Sequence, residues 1–316
     1  MLRRPAHFVL LCAFLGGGVR ISGQQSQVER VRQLDLNRDV REVQTARVGP
    51  VAPTFSQTDG GDDLESFGIQ QMLVSGPARM RNFRVFGEMS AFATNNVGLS
   101  RRDPSSDSFF VGNFGIEYRR PLKRRGFEVD ATFQVAMFRY NQFRQLNFNS
   151  FDVGTGITYH SEKLKGVDFA ARYNFNALTG VSSGDAFFES HTITLGAEKV
   201  FQFGSTRYAV LGLSGRISFA APRSNERQEI SAYAGYHFEP TSRMDVDLGY
   251  RYGRFLYTDG GRKDHNQTIS LGLRYRLTDW FSASASSFYV WDRSNQDVFS
   301  YNAGTVGGAL MFMMRF

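Results

Sequence analysis

The sequence predicts an all-β protein, a transmembrane antiparallel up-and-down β-barrel of about 12 strands that follows an irregular N-terminal segment. Three observations support this class. From about residue 83 onward, apolar and polar residues alternate with a period of two, which is typical of strands with one apolar face. The connections between these strands are alternately short and longer. No later stretch approaches the roughly 18 consecutive apolar residues that a membrane-spanning helix needs.

The N-terminus, residues 1–23, has the features of a secretory signal peptide. Arg3 and Arg4 form a basic start, and Phe8–Gly18 is an apolar run too short to span a membrane. We therefore expect export and cleavage. The single cysteine, Cys12, lies in this run, so the mature chain is expected to hold no disulfide, cysteine nucleophile or cysteine metal site.

The next segment, residues 24–82, lacks the alternation. Val28, Val31 and Leu34 have a spacing that permits one short helix, and the Gly- and Pro-containing stretch 49–53 ends it. Both ends of an even-stranded barrel lie on one side of the membrane. The segment is therefore predicted to be a periplasmic arm, a linker or a plug of the lumen that precedes the barrel of residues 83–316.

Period-two alternation defines each strand of the predicted barrel. In the clearest example, Phe127, Val129 and Ala131 share one face, and Glu128 and Asp130 share the other. The predicted strands are 83–94, 108–119, 126–140, 150–161, 167–179, 187–200, 207–220, 228–239, 244–257, 267–277, 281–291 and 301–316. The predicted longer loops are 95–107, 141–149, 180–186, 221–227, 258–266 and 292–300.

A soluble β-sandwich or barrel would show the same alternation. It would bury the apolar face against a core, and it would need helices or crossovers to cover the edges of so many long strands. Residues 83–316 contain no amphipathic helix pattern that could do so. Short turns on one side and longer loops on the other are typical of an outer-membrane β-barrel, with both termini in the periplasm.

The end of the chain carries the most specific motif. Leu310, Phe312, Met314 and Phe316 alternate, and the last residue is phenylalanine. This motif resembles the C-terminal signature of the bacterial outer-membrane β-barrel superfamily, and the resemblance covers roughly 83–316. It implies a porin-like fold in outer-membrane lipid, with these four residues as the signal for the barrel assembly machinery.

Polar motifs near three strand ends carry a second, narrower resemblance. Thr94-Asn95-Asn96-Val97 follows the first strand, Ser106-Asp107-Ser108 precedes the second, and Tyr140-Asn141-Gln142-Phe143 follows the third. The pattern is similar to that of outer-membrane barrels encoded with exopolysaccharide export systems. The resemblance implies a polysaccharide as a partner.

The polar faces of the strands predict a lumen with charges of both signs. The acidic residues of this face are Glu88, Glu117, Glu128, Asp130, Asp152, Asp168, Glu198, Glu229, Asp245 and Asp247, and the basic residues are Arg84, Arg119, Arg172, Arg216, Arg251, Arg274, Arg276 and Arg315. The pore-lining candidates are Arg216, Glu229, Asp245, Asp247, Arg251, Arg274 and Arg276. Because the charges nearly balance, we expect weak ion selectivity. We also expect both aspartates of strand 244–257 to lie near Arg274 and Arg276 at the periplasmic end.

Catalytic arrangements are weakly represented. A lipid hydrolase needs a histidine whose side chain reaches a serine hydroxyl. In His160-Ser161 and Ser190-His191 the two residues are neighbours in sequence, so their side chains point to opposite faces of a strand and do not meet.

A barrel protease needs acidic pairs and a histidine at the outer rim, and Asp259 with Asp264-His265 is the nearest match. We predict no catalytic residues, no metal site and no cofactor, since the acidic residues lack the spacing of a calcium loop and nucleotide motifs are absent.

The sequence therefore predicts a non-enzymatic outer-membrane β-barrel that acts as a narrow, weakly selective, porin-like channel for polar solutes. The alternative is a non-enzymatic outer-membrane component of an exopolysaccharide secretion system, and an outer-membrane lipid hydrolase is a third hypothesis. The net charge of +7 includes three signal-peptide arginines. The remaining surplus is too small to indicate nucleic acid as a partner. The expected partners are outer-membrane lipid, the assembly machinery, and a polysaccharide or another polar solute.

Overall fold

The computed structural model describes residues 82–124 and 126–316, which form one closed barrel in which every strand is antiparallel to its neighbours. The strands are β1 (Phe83–Thr94), β2 (Asp107–Pro121), β3 (Phe127–Tyr140), β4 (Phe148–Ser161), β5 (Val167–Gly180), β6 (Ala186–Gln202), β7 (Arg207–Ala221), β8 (Arg227–Thr241), β9 (Met244–Tyr257), β10 (Lys263–Arg276), β11 (Phe281–Ser294) and β12 (Tyr301–Arg315). The predicted fold class is confirmed. The predicted signal peptide and all but the last residue of segment 24–82 lie outside the described residues.

Helical structure in the described part of the chain is limited to three short 3-10 helices, Arg144–Leu146, Arg223–Asn225 and Asp297–Phe299. No helix within 82–124 and 126–316 has both the length and the apolar character needed to cross a membrane.

The barrel closes where β1 pairs with β12, in a register that runs from Arg84 opposite Arg315 to Thr94 opposite Thr305. The backbone N–H of Phe83 donates to the carbonyl oxygen of Phe316 at 3.2 Å, and the N–H of Phe316 donates back at 2.9 Å. The C-terminal residue therefore completes the ladder of this seam. We call the end of the barrel that holds Phe83 and Phe316 the inner end, and the opposite end the outer end.

The outward face of the barrel is apolar on every strand. Large side chains such as Met89 on β1, Leu213 on β7 and Ile230 on β8 are each more than 60% exposed. A soluble protein would bury such a continuous apolar surface, whereas a lipid bilayer covers it. The arrangement therefore excludes the soluble sandwich or barrel.

The connections differ less in length than the sequence predicts. The inner connections are 122–126, 162–166, 203–206, 242–243 and 277–280, and the outer connections are 95–106, 141–147, 181–185, 222–226, 258–262 and 295–300. Only 95–106 is much longer than the inner turns. The other predicted outer loops are longer than the observed ones. The main reason is that β4, β10 and β11 continue through polar residues at their outer ends, where alternation of apolar residues no longer marks a strand.

Aromatic rings cover glycines on neighbouring strands and permit close packing of the wall. The ring of Tyr233 on β8 lies directly over Gly212 on β7, and that of Phe92 on β1 lies over Gly307 on β12. A Cβ atom at either glycine would overlap the ring. Such cross-strand pairs compensate for the missing glycine side chain and help to fix the register.

Candidate functional site in the barrel interior

The pairing register places all seven pore-lining candidates on the inward face. Opposite residues in an antiparallel pair point to the same side of the sheet. Arg216 is opposite Glu229, Arg274 is opposite Asp245, and Asp247 is opposite His237. Two candidates remain. Arg251 is opposite Tyr233, whose ring covers Gly212 on the same inward face, and Arg276 is opposite Ser282, two residues from Arg274.

A first charged cluster surrounds Glu229 near the outer end of β8, and we call it the outer charged cluster. The side chain of Glu229 is 1% exposed, and its carboxylate forms an ion pair with Arg251 of β9. Arg216 of β7 and Arg227 of β8 approach the same carboxylate at 3.6 and 3.7 Å. The guanidinium of Arg227 also lies 4.7 Å from the ring centroid of Phe255. The cluster joins three adjacent strands in a place that water hardly reaches.

A second charged cluster lies at the inner end of β8, β9 and β10. The carboxylate of Asp245, fully buried, is 2.9 Å from Nε of Arg274 and 3.5 Å from Nη2 of Arg276. Asp247 does not join them. Its Oδ1 is 2.7 Å from Nδ1 of His237, whose Nε2 is 3.4 Å from Glu239. The expected proximity to the two arginines thus holds for Asp245 only.

Several inward groups of these clusters are absent from the candidates chosen from the sequence. The sequence places Arg227 in a loop, because the predicted strand begins one residue later. Its position two residues before Glu229 nevertheless puts it on the same face. No sequence motif marks His237 as part of the lumen lining. Its position opposite Asp247 depends on the β8–β9 register, and the turn of that hairpin does not define the register from sequence alone.

Small side chains line the inward face beside the inner cluster. Ser282, Ser284 and Ser286 of β11 point inward opposite Arg276, Arg274 and Gly272, and all three serines are only half-buried. Gly307 and Ala309 of β12 continue this surface opposite Ser286 and Ser284. These short side chains extend less from the wall than Arg274 and Arg276 beside them.

The outer end is packed with apolar side chains instead. One buried cluster consists of Phe92, Val97, Phe109, Val111, Phe138, Tyr140, Phe148, Leu178 and Phe188, and a second consists of Leu99, Phe288, Val290, Tyr301 and Ala303. Val97 and Leu99 belong to loop 95–106, which therefore contributes to both clusters. Apolar side chains therefore occupy much of the interior at this end.

The four described histidines do not form a catalytic arrangement with serine. His160 bonds Asp168 at 2.7 Å, and His237 bonds Asp247. His191 and His265 face outward and bond tyrosine hydroxyls. Within the described residues, no histidine has a serine or threonine hydroxyl as hydrogen-bond partner, and Asp264 faces the lumen while His265 faces lipid.

One group of side chains has the composition of a metal site. Ligand atoms of His237, Glu239 and Asp245 all lie within 4.8 Å of one another. However, the carboxylate of Asp245 already has two guanidinium partners, Arg274 and Arg276. An ion pair with two fixed cations leaves little negative charge for a metal ion, so the arrangement favours a salt-bridge network.

The C-terminal motif lies on the lipid-facing side of the seam. Leu310, Phe312, Met314 and Phe316 all point outward, and the ring of Phe312 lies over Gly87 of β1. These side chains are accessible from outside the barrel.

The comparisons with known proteins give a fold and no close relative. No model of a protein family and no curated protein matches the sequence. An outer-membrane channel of Pseudomonas putida F1 is similar in structure, with a TM-score of 0.51, 8% sequence identity, and coverage of 76% of this chain and 99% of that chain.

Two further solved structures are similar at lower scores. An anion-selective porin from Comamonas acidovorans has a TM-score of 0.39 and 9% identity, with coverage of 74% of this chain and 99% of that chain. A bacterial polysaccharide outer-membrane secretin has a TM-score of 0.43 and 9% identity, with coverage of 73% and 98%. The barrel shares the fold of the Pseudomonas putida channel, and its apolar exterior is suited to a lipid bilayer.

Proposed function

We propose that this barrel is a narrow, weakly selective channel for polar solutes across the outer membrane. One observation supports it most directly. At the inner end, Arg274 and Arg276 lie on the inward face beside the half-buried serines Ser282 and Ser284, so charged and hydroxyl groups line the lumen there. A passage bordered by both signs of charge admits polar solutes and discriminates weakly between anions and cations.

The first test is conductance. Purified protein that is folded, as judged by its heat-modifiable electrophoretic mobility, is inserted into planar bilayers. Discrete current steps are expected for a channel. A silent bilayer with folded protein would overturn the proposal and would favour the alternative, a non-conducting component of a polysaccharide secretion apparatus.

The second test is ion selectivity. Replacing Arg274 and Arg276 by alanine leaves Asp245 and Glu239 without these cations, so the reversal potential in a salt gradient is expected to shift toward cation preference. Arg207→Ala is the matched control, because Arg207 is exposed at the inner end of β7 on the outward face. An unchanged reversal potential in the double variant would show that these arginines do not border the conducting path.

A further inference from the structure

A row of basic side chains faces outward near the outer end of β9, β10 and β11. The pairing register places Arg254 opposite His265 and His265 opposite Arg293. Lys263, two residues from His265 on the same face, lies closer to the outer end. All four are exposed. We call them the basic row.

Within the described part of the chain, no acidic side chain pairs with the basic row. Asp264 and Asp292, the neighbours of its members in sequence, point into the barrel, where Asp264 bonds Arg262 and Asp292 accepts from the amide of Asn266. Among residues 82–124 and 126–316, no aspartate or glutamate forms an ion pair with any of the four basic residues. Basic groups placed side by side on a sheet repel each other unless an anion lies between them.

Hydrogen bonds hold part of the row against the barrel wall. Nη1 of Arg293 donates to the carbonyl oxygens of Asp292 and Tyr301 at 2.9 and 3.2 Å and to Oδ1 of Asn302 at 2.8 Å. These contacts occupy Nη1 and fix the orientation of the guanidinium group. Its other two nitrogens have no partner in the described part of the chain. Arg254, on the other side of His265, has no ion pair or hydrogen bond of its side chain within the same residues.

Arg254 on β9 and Arg293 on β11 are separated by one strand, β10, so their backbones are about 10 Å apart. Both side chains are long enough to reach one anion in front of His265. Nδ1 of His265 is 2.7 Å from the hydroxyl of Tyr252, so Nε2 remains for that anion.

The height of the basic row on the barrel identifies the kind of anion. Aromatic side chains lie directly below it, with Tyr252 and Trp291 in one layer and Tyr250 and Tyr289 in the next. From the start of β9 at Met244 to Arg254, about 10 residues with a rise of about 3.4 Å and a tilt of about 40° span about 25 Å, the height of the apolar band of such barrels. The row thus lies at the level of the lipid headgroups.

We infer that the basic row binds the phosphate-bearing headgroup of an anionic lipid in the leaflet at the outer end of the barrel. Guanidinium groups bind phosphate oxygens with paired hydrogen bonds, and a bound phosphate removes the repulsion within the row. The inference does not depend on whether the barrel conducts.

The chain contains its own reporter for this site. It has two tryptophans, Trp280 at the inner end and Trp291 directly below the basic row. In a Trp280→Phe variant, all tryptophan fluorescence comes from Trp291. The protein is reconstituted into phosphatidylcholine vesicles that contain a small fraction of phosphatidylglycerol, and either lipid is brominated near its headgroup. We expect brominated phosphatidylglycerol to quench Trp291 several times more strongly than its mole fraction predicts.

Removing the basic row should remove this preference. Each basic side chain near a membrane surface changes the affinity for anionic lipid about fivefold, so Arg254→Gln with Arg293→Gln should abolish the excess quenching. Arg139→Gln is the matched control, because Arg139 is a lone outward arginine at the outer end of β3 with equivalent bonds to Phe138, Phe148 and Asn149. Its substitution should leave the preference unchanged.

Three results would overturn the inference. The first is quenching of Trp291 in proportion to the mole fraction of brominated phosphatidylglycerol. The second is excess quenching that survives in the Arg254→Gln, Arg293→Gln variant. The third is excess quenching that is lost equally in the Arg139→Gln variant. Inorganic phosphate distinguishes the two sources of the anion. If millimolar phosphate displaces brominated phosphatidylglycerol completely, the row binds free phosphate and lipid selection is overturned, whereas partial or no displacement supports a lipid site.

Discussion

At the scale of single residues, the interior of the barrel is stabilised by side chains that reach one another across strands. Glu229 is the clearest example, because its partners Arg216, Arg227 and Arg251 come from β7, β8 and β9. One buried carboxylate with three guanidinium neighbours links three strands of the wall. Its charge therefore has a larger effect on stability than that of an exposed ion pair.

We predict that Glu229→Gln destabilises the barrel strongly. The substitution keeps the shape of the side chain but leaves buried guanidinium groups without their anion, and breaking a buried pair in this way costs about 3–5 kcal/mol. The free energy of unfolding is measured by denaturant titration in lipid vesicles, and the temperature at which the compact electrophoretic form disappears gives a second measure.

The control for this substitution is Glu226→Gln. Glu226 pairs with Arg223, which is 79% exposed, at 3.5 Å, and such a surface pair contributes at most about 1 kcal/mol. Equal losses in the two variants would contradict the role assigned to the buried cluster.

The residue scale also shows what could be predicted from the sequence. Alternation predicts which side chains face the lumen, since it depends only on the geometry of a strand. It does not predict which of them pair. Asp247 bonds His237 because the β8–β9 register places them opposite each other, while Arg274 is opposite Asp245. The register depends on turn geometry and packing, which the alternating pattern alone does not contain.

At the scale of elements, the most specific sequence motif lies in the strand that closes the barrel. The backbone of Phe316 is bonded to Phe83, but the ring of Phe316 is 65% exposed on the outward face. The ring therefore contributes little to packing within the folded barrel. An exposed ring at the end of the last strand is accessible to another protein before the barrel closes.

We predict that Phe316→Ala impairs assembly in cells more than stability in vitro. The backbone bonds to Phe83 remain, so folding from urea into lipid vesicles should proceed almost as in the unchanged chain. The amount of heat-modifiable barrel in the outer membrane of cells should fall clearly, which is measured on isolated membranes.

Phe312→Ala separates the two effects. The ring of Phe312 covers Gly87 across the seam, so its loss should weaken the β1–β12 contact in vesicles as well as in cells. If Phe316→Ala is assembled normally in cells, the motif does not act as an assembly signal.

At the scale of the whole molecule, the lumen changes character along its length. Charged groups and small side chains border it at the inner end, whereas two buried apolar clusters fill much of the outer end. This asymmetry was not visible in the alternating pattern, because Phe92, Phe109 and Phe138 occupy inward positions that a polar lumen would assign to hydrophilic residues. Aromatic residues on both faces of a strand obscure the pattern there.

Loop 95–106 connects the two clusters and is anchored at the mouth. The side chain of the buried Asn96 donates from Nδ2 to the carbonyl oxygens of Ser100 at 2.7 Å and Asn302 at 2.8 Å. Leu99 adopts a left-handed backbone conformation with φ of 52°, which is rare for a branched apolar residue and is compensated here by burial of its side chain. The loop is therefore fixed to β12 and to both apolar clusters by its side chains.

We predict that replacing Val97 and Leu99 together by glycine widens the channel. The change removes one apolar anchor from each cluster, and glycine accepts the left-handed conformation at position 99, while the bonds of Asn96 remain. Single-channel conductance in planar bilayers should rise by about twofold or more, because a constriction dominates the resistance of a narrow pore. Leu122→Gly with Leu164→Gly is the control, since both residues are exposed in inner connections. If the conductance stays the same while the barrel remains heat-modifiable, the narrowest point lies elsewhere in the lumen.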